Sequence, residues 1–370
     1  MAGYDAIIAG GGIIGSATAF ELARAGQRVL LLDRQQPGLE ASWAAAGMLG
    51  PGAETPDSVL VAPLGRASLE LYPEFVAAVE RASGRSVGFE LRAGLQVFFG
   101  GDAERERDQF IAVQRGLGLP AAAIPVEEAG RLEPHLNPEA RAVARVECEG
   151  RVDNRVLTEA ALAAAQATGA EARAGVEVTG VLSRDGRCAG VKTAAGEIES
   201  RKVVMACGSF TGQLADVARY APTRPVRGQM LALRSEEARV GYVLRSSRGY
   251  IVPRGDGRLI CGSTSEHAGY EKRVTPAGIQ QILGAAVELA PALAGAALVE
   301  TWSGLRPDTP DHLPILGPTD VPGLFVATGH YRNGILLTPI TARILREFIL
   351  EGKCGVAGVE KYSPMRFAGN

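Results

Sequence analysis

The chain is poor in the groups that build metal centres and proton relays. Its 370 residues hold four histidines, His135, His267, His312 and His330, and no two stand at a metal-ligand or triad spacing. The five cysteines, Cys148, Cys188, Cys207, Cys261 and Cys354, are scattered and odd in number, and none forms C-x-x-C. A zinc site or a disulfide framework is therefore not expected, and a reducing, cytoplasmic setting fits. No uninterrupted run of ~18 apolar residues is present, so no membrane-spanning helix is expected. Asp5 and a glycine-rich turn interrupt the first apolar run, which argues against a signal peptide. An excess of one charge is also missing: 39 basic and 41 acidic residues give a net charge of −2, pointing away from nucleic acid and acidic membrane surfaces. Aromatic residues are few and lysine is far rarer than arginine, biases that read as genome composition more than function.

Glycine, by contrast, is abundant, and its placement at the start of the chain is informative. Residues 4–9 are an apolar run, Gly10-Gly11-Gly12-Ile13-Ile14-Gly15 follows as G-x-G-x-x-G, and 16–25 reads as an alanine-rich helix. Gly26 closes that helix, 28–32 is a second largely apolar run, and Asp33 stands at its end, 23 positions after Gly10. Glycines at 10, 12 and 15 allow a tight strand-to-helix turn and close approach of a pyrophosphate to the helix N-terminus. An acid at the end of the second strand can accept hydrogen bonds from an adenosine ribose, which disfavours a 2′-phosphate. With 47 glycines, a bare match would be weak. Strand, turn, helix, strand and acid together indicate bound FAD or NAD.

Further along, Ala41-Ser42-Trp43-Ala44-Ala45-Ala46-Gly47-Met48-Leu49 is a loop of small residues, and 64–82, 103–117, 155–168 and 275–290 read as helices. Segments 176–182, 189–194 and 197–198 read as a β-meander, and 202–206 as a buried strand ending at Cys207-Gly208. Residues 224–262 are strand-rich, with a hairpin turn at Gly255-Asp256-Gly257. A short strand at 324–328 precedes a last helix, for which Thr338-Pro339 suits the N-cap and first position, unless it begins a turn earlier. Strand blocks 1–33, 176–206 and 324–328 would complete one parallel sheet. The expected fold is α/β: a discontinuous dinucleotide-binding domain (1–85, 149–221 and 306–370) and a mostly antiparallel β domain (86–148 and 222–305) that takes the substrate. Gly84-Arg85-Ser86-Val87-Gly88 matches a G-x-S-x-G nucleophile elbow, but it follows a charged helical stretch rather than an apolar strand and reads as a surface turn.

Gly329-His330-Tyr331-Arg332-Asn333-Gly334-Ile335-Leu336, between a short strand and a helix, is either an ordinary hinge turn or a second helix-N-terminus site. Such a helix end would stabilise negative charge on a flavin ring. Taken with Ala45-Ala46-Gly47-Met48-Leu49, Tyr250-Ile251-Val252-Pro253-Arg254 and Gly304-Leu305-Arg306-Pro307, these motifs resemble, in order and over nearly the whole chain, the D-amino acid oxidase family in its glycine-oxidase branch. The resemblance implies a Rossmann-like FAD domain of the glutathione-reductase type and noncovalent FAD. It further implies oxidation of glycine, sarcosine or a small D-amino acid to an imine, with dioxygen reduced to hydrogen peroxide. Many such enzymes supply iminoglycine for the thiazole of thiamine, and many are tetramers.

Carried over residue by residue, the resemblance implies that Arg306 and Tyr250 bind the substrate carboxylate and that Arg332 offers its backbone carbonyl to the amine. A guanidinium fork suits a planar carboxylate, although Arg306 alone could be a surface residue and Tyr250 alone a packing residue. Gly10, Gly12, Ile13, Ile14, Gly15, Asp33, Arg34 and Val178 would surround the AMP half of the cofactor. Ala41, Ser42, Ala46, Gly47 and Met48 would pass beneath the flavin and ribityl chain, Gly208 would flank the pyrophosphate, and His330 to Leu336 would meet the ring edge. No side-chain base is expected; catalysis would rest on positioning and electrostatics. The chain departs from the family in the polar run Ser263-Thr264-Ser265-Glu266 and the basic stretch Arg245-Ser246-Ser247-Arg248, which leaves substrate preference open. Two other readings remain: a dehydrogenase passing electrons to a quinone or partner subunit, and a non-catalytic flavin-binding subunit.

Overall fold

Strand Ala6–Ala9 is apolar throughout and buried on both faces, the pattern of a central strand in a parallel sheet. In the computed structural model, which describes residues 3–52 and 59–369, it pairs in parallel with Val29–Asp33 on one side and Val203–Met205 on the other. The full order across this six-stranded sheet is Ile315–Pro318, Leu324–Thr328, Val203–Met205, Ala6–Ala9, Val29–Asp33 and Glu171–Ala174. Alternate side chains leave opposite faces of a strand. Ala6, Ile8 and Leu31 accordingly join a core with helices Ile13–Arg24, Ala62–Ser83, Asn154–Ala167 and Thr338–Glu351, while Ile7, Ala9, Leu30 and Leu32 join a second core beneath the meander.

Only part of the expected middle block enters the parallel sheet. Val178–Arg184, Arg187–Thr193 and Gly196–Glu199 form a separate three-stranded antiparallel sheet over its second face. Two-residue connections permit hairpins, whereas parallel neighbours need a long crossover. Glu171–Ala174 takes the edge place instead, and its exposed, charged sequence carries no strand periodicity. Ile315–Pro318 closes the other edge antiparallel to its neighbour.

The second layer is an eight-stranded sheet in the order Ala297–Asp308, Arg224–Arg234, Arg258–Gly262, Tyr250–Pro253, Leu244–Arg245, Gly94–Phe98, Ala142–Val146 and Ala121–Ile124. All its pairings are antiparallel except Leu244–Arg245 with Gly94–Phe98. Ala297–Asp308 runs unbroken through position 306, where a domain boundary was expected. Gly255-Asp256-Gly257 joins two paired strands as the sequence implied. The G-x-S-x-G match is a turn: Gly84 caps helix Ala62–Ser83 with a φ of +69°, and a short strand, not a helix, follows. No helix among the described residues is long and apolar enough to cross a membrane.

Candidate active site

A cavity of about 500 Å³ opens at the carboxyl ends of the parallel strands, where open α/β sheets bind ligands, and extends to the eight-stranded sheet. At one end stands Asp33. Its carboxylate accepts from the Gly11 N–H (2.8 Å) and the Gln35 N–H (2.9 Å), and burial, the largest influence, raises its pKa above the ordinary value. Arg34 lies over the Phe210 ring (3.7 Å to its centroid) and donates to Glu40 (3.0 Å), which Lys272 also pairs with from the second layer. Phe210 and Glu40 line this end but carry no motif that the sequence alone would single out.

The glycine turn is a cradle that side chains cannot enter. Gly10 has a φ of +104°, and a Cβ there would run into the Ala206 carbonyl; one on Gly15 would strike the Gly10 carbonyl. Gly15 therefore serves the turn from behind the wall. It is the one expected cofactor residue that does not line the cavity, because its role is close packing of the helix start on the strand end. Helix Ile13–Arg24 has Gly12 at its N-cap with no side-chain cap of its own. Ser42 supplies that cap from outside: its Oγ accepts from the Ile13 N–H at 2.9 Å, a bond that does not use the hydroxyl hydrogen.

Loop 41–48 is held from below by a polar cluster. Arg254 donates to the Ala46 carbonyl and to Asn154 Oδ1, both at 2.7 Å, and Asn154 donates to the carbonyls of Ser42 and Trp43. The Arg254 side chain is buried, which pulls its pKa down to about 10 and leaves it cationic at neutral pH. Trp302 donates its indole N–H to the Ala44 carbonyl (3.0 Å), and Arg155 lies over Trp43. Gly47, with a φ of +72°, makes a backbone bond to Val152 (2.9 Å) and allows Ala46 and Met48 to face the cavity.

The 329–337 turn forms the opposite wall. Gly329 (φ +72°) and Tyr331 (φ +47°) are both left-handed, and the Tyr331 N–H is anchored to the Pro307 carbonyl at 2.9 Å. A non-glycine residue there is strained, a feature that clusters at functional sites. The amides of Gly334, Ile335 and Leu336 line the cavity and donate to no protein acceptor among the described residues. Thr338 is the first residue of the last helix rather than its cap: the chain has already turned at 334–337, so its hydroxyl reaches back to the Gly334 carbonyl (2.9 Å). His330 is buried, its Nε2 3.0 Å from Thr341 Oγ1, and burial pulls its pKa down to about 3. It is a neutral wall, not a proton carrier. An unfolded histidine titrates near 6.5, so acidification from there toward pH 3 favours the unfolded chain, by up to about 1.4 kcal/mol per pH unit for this one group. Denaturant titrations at pH 7 and pH 4.5 should show His330→Asn losing less stability between the two values than the parent protein.

At the eight-stranded sheet the wall consists of Arg306, Tyr250, Ser263, Met230 and Arg332. Arg306 donates to Ser263 Oγ (2.7 Å) and to the Thr264 carbonyl (3.1 Å). It lies across Gly228, where any Cβ would collide with the guanidinium, and Gly228 pairs directly with Gly304 on the neighbouring strand. Tyr250 sits opposite Gly262 and reaches Met230 Sδ at 3.4 Å. Arg332 lies beside the Tyr331 ring, 5.2 Å from its centroid. Apart from Gly15, every residue expected at the cofactor or substrate lines this one cavity, Val178, Ala41 and Gly208 included. The glycine cradle, the Ser42 hydroxyl and the open amides at 334–336 as donors, with the Asp33 carboxylate as acceptor, form a set that fits an extended FAD.

The chain matches the family model described as FAD dependent oxidoreductase, DAO, over residues 5–348. It is 37% identical to the bifunctional protein ThiO/ThiG of Trichormus variabilis over 94% of its own length and 53% of that protein, so it spans about half the length of the bifunctional relatives. It is 32% identical to glycine oxidase from Pseudomonas putida, covering 97% of both chains. The fold is similar to the crystal structure of glycine oxidase from Geobacillus kaustophilus, with a TM-score of 0.93 and 31% identity over 99% of each chain.

Proposed function

Because the chain belongs to the D-amino acid oxidase family of FAD-dependent oxidoreductases, we propose that it oxidises glycine or a comparably small amino acid, sarcosine or a small D-amino acid, with dioxygen as acceptor. The products are an imine, which water converts to the 2-oxo acid and ammonia (methylamine in the case of sarcosine), and hydrogen peroxide. The observation that carries the reading is the meeting of Arg306 and Tyr250 with the 330–336 turn in one cavity. When bound, FAD supplies the two-electron acceptor that no side chain provides. The protein's part is placement: Arg306 and Tyr250 fix the carboxylate, and the carbonyl of Arg332 accepts from the amine. Excluding water strengthens these contacts. In this reading the amine reaches the reacting state as the free base, and no side-chain base is required. The glycine product, iminoglycine, suits thiazole assembly in thiamine synthesis. Five unpaired thiols fit a reducing cytoplasm, and a homo-oligomer is part of the same proposal.

FAD is held noncovalently in this reading. Cys207 is the cysteine on the cavity wall, and burial pushes its pKa up to about 12, leaving no thiolate to form a flavin link. Acid precipitation should therefore leave a colourless pellet and a yellow supernatant. The central test is anaerobic addition of glycine, sarcosine and D-alanine to the yellow protein. Bleaching of the flavin band, followed by stoichiometric peroxide when air is admitted, is the expected result. A flavin that none of them bleaches would overturn the assignment.

A further inference from the structure

We infer that Ser263 is a third member of the substrate-carboxylate clamp, touching the carboxylate itself beside Arg306 and Tyr250. The inference rests on the reading of this end of the cavity as the amino acid site. Ser263 lines the wall with Arg306, Tyr250 and Met230, and its Oγ accepts from Arg306 Nη2 at 2.7 Å. A guanidinium has donors and no acceptor, so the Ser263 hydroxyl hydrogen is not spent on Arg306. No protein acceptor takes it among the described residues, and a carboxylate seated on Arg306 brings acceptor-only oxygens to its side of the wall.

The next residue has a different task. Thr264 is buried; its Oγ1 accepts from the Gln229 N–H (2.9 Å) and donates to Glu266 (2.5 Å), while its carbonyl takes Arg306 Nη1 (3.1 Å). The guanidinium is thus gripped on both terminal nitrogens by consecutive residues of one segment. One grip is a buried carbonyl fixed by a network, and the other is a hydroxyl with a hydrogen to give. A preset fork with an adjacent O–H donor offers a carboxylate a ready set of donors, which lowers the ordering cost of binding. Glycine, with no side chain to add contacts, depends on such polar anchoring.

The test uses the FAD-loaded enzyme, with glycolate as a non-oxidised carboxylate probe whose Kd is read from the flavin absorbance change, and with glycine kinetics alongside. Ser263→Ala should weaken glycolate binding and raise the glycine KM on the order of ten-fold, as expected for one hydrogen bond to a charged group, with kcat within about two-fold. Ser263→Thr, which keeps the hydroxyl, should restore both. In an Arg306→Lys background, Ser263→Ala should still weaken glycolate, because the contact is direct. An unchanged Kd in Ser263→Ala overturns the inference, as does an effect that vanishes in the Arg306→Lys background, since Ser263 would then act only by orienting Arg306. If the parent enzyme shows neither a glycolate response nor bleaching by glycine, the amino acid oxidase reading itself has failed, a result distinct from an indifferent Ser263.

Discussion

Arg306→Ala is expected to lower kcat/KM for glycine by about two to three orders of magnitude, mostly through KM, with the flavin still bound. Removing one partner of a hydrogen-bonded charge pair costs roughly 2–5 kcal/mol, and each ~1.4 kcal/mol is ten-fold. Arg306 is held by Ser263 and the Thr264 carbonyl, whereas the side chain of Arg332 lies along Tyr331. Arg332→Ala should accordingly be milder, since the backbone carbonyl assigned to the amine survives the change. Lysine at 306 should rescue poorly, because a point charge cannot reproduce a planar fork. Flavin content measured beside the kinetics separates loss of the clamp from loss of the fold. Glycine kinetics unchanged in Arg306→Ala would remove Arg306 from the substrate site.

Gly47→Ala should be the more damaging change to the protein as a whole. The residue has a φ of +72°, its carbonyl accepts from the Val152 N–H, and a Cβ would press on the Val152 carbonyl with the Arg254 guanidinium 3.1 Å away. Left-handed backbone costs a non-glycine residue roughly 1–2 kcal/mol, and overpacking adds roughly 1–3 kcal/mol. A loss of about 2–5 kcal/mol is expected, with FAD falling well below one per chain because Ala46 and Met48 move with the loop. Thermal melting and the flavin-to-protein absorbance ratio measure the two effects. A variant that melts with the parent and keeps its full yellow colour would show that the loop can yield.

What could be read from the sequence was whatever depends on local backbone chemistry. The turn at Gly10 to Gly15 announced itself because only glycine tolerates its carbonyl contacts, and Asp33 because it terminates a buried strand. Arg306, Tyr250 and the 330–336 turn were legible through family resemblance, not periodicity. The supports were not legible. Gly228 matters because an arginine from the paired strand, distant in sequence, must lie across it, and Asn154 matters because two carbonyls over a hundred residues earlier need a donor. Neither relation leaves a local trace. The edge strand Glu171–Ala174 escaped notice for the opposite reason: an exposed edge needs no hydrophobic alternation, so its pairing with Val29–Asp33 is written in position, not composition.

The two tryptophans give the molecule a built-in gauge. The chain has only two tryptophans, Trp43 and Trp302, and their rings meet edge to face at 5.9 Å where loop 41–48 packs on strand Ala297–Asp308. Indole emission overlaps flavin absorption, so energy transfer to a nearby isoalloxazine should quench both tryptophans together. Tryptophan emission should be bright in the empty protein and weak in the loaded one. Cofactor release by Gly47→Ala, or by chaotropic salt, can then be followed in real time without a label.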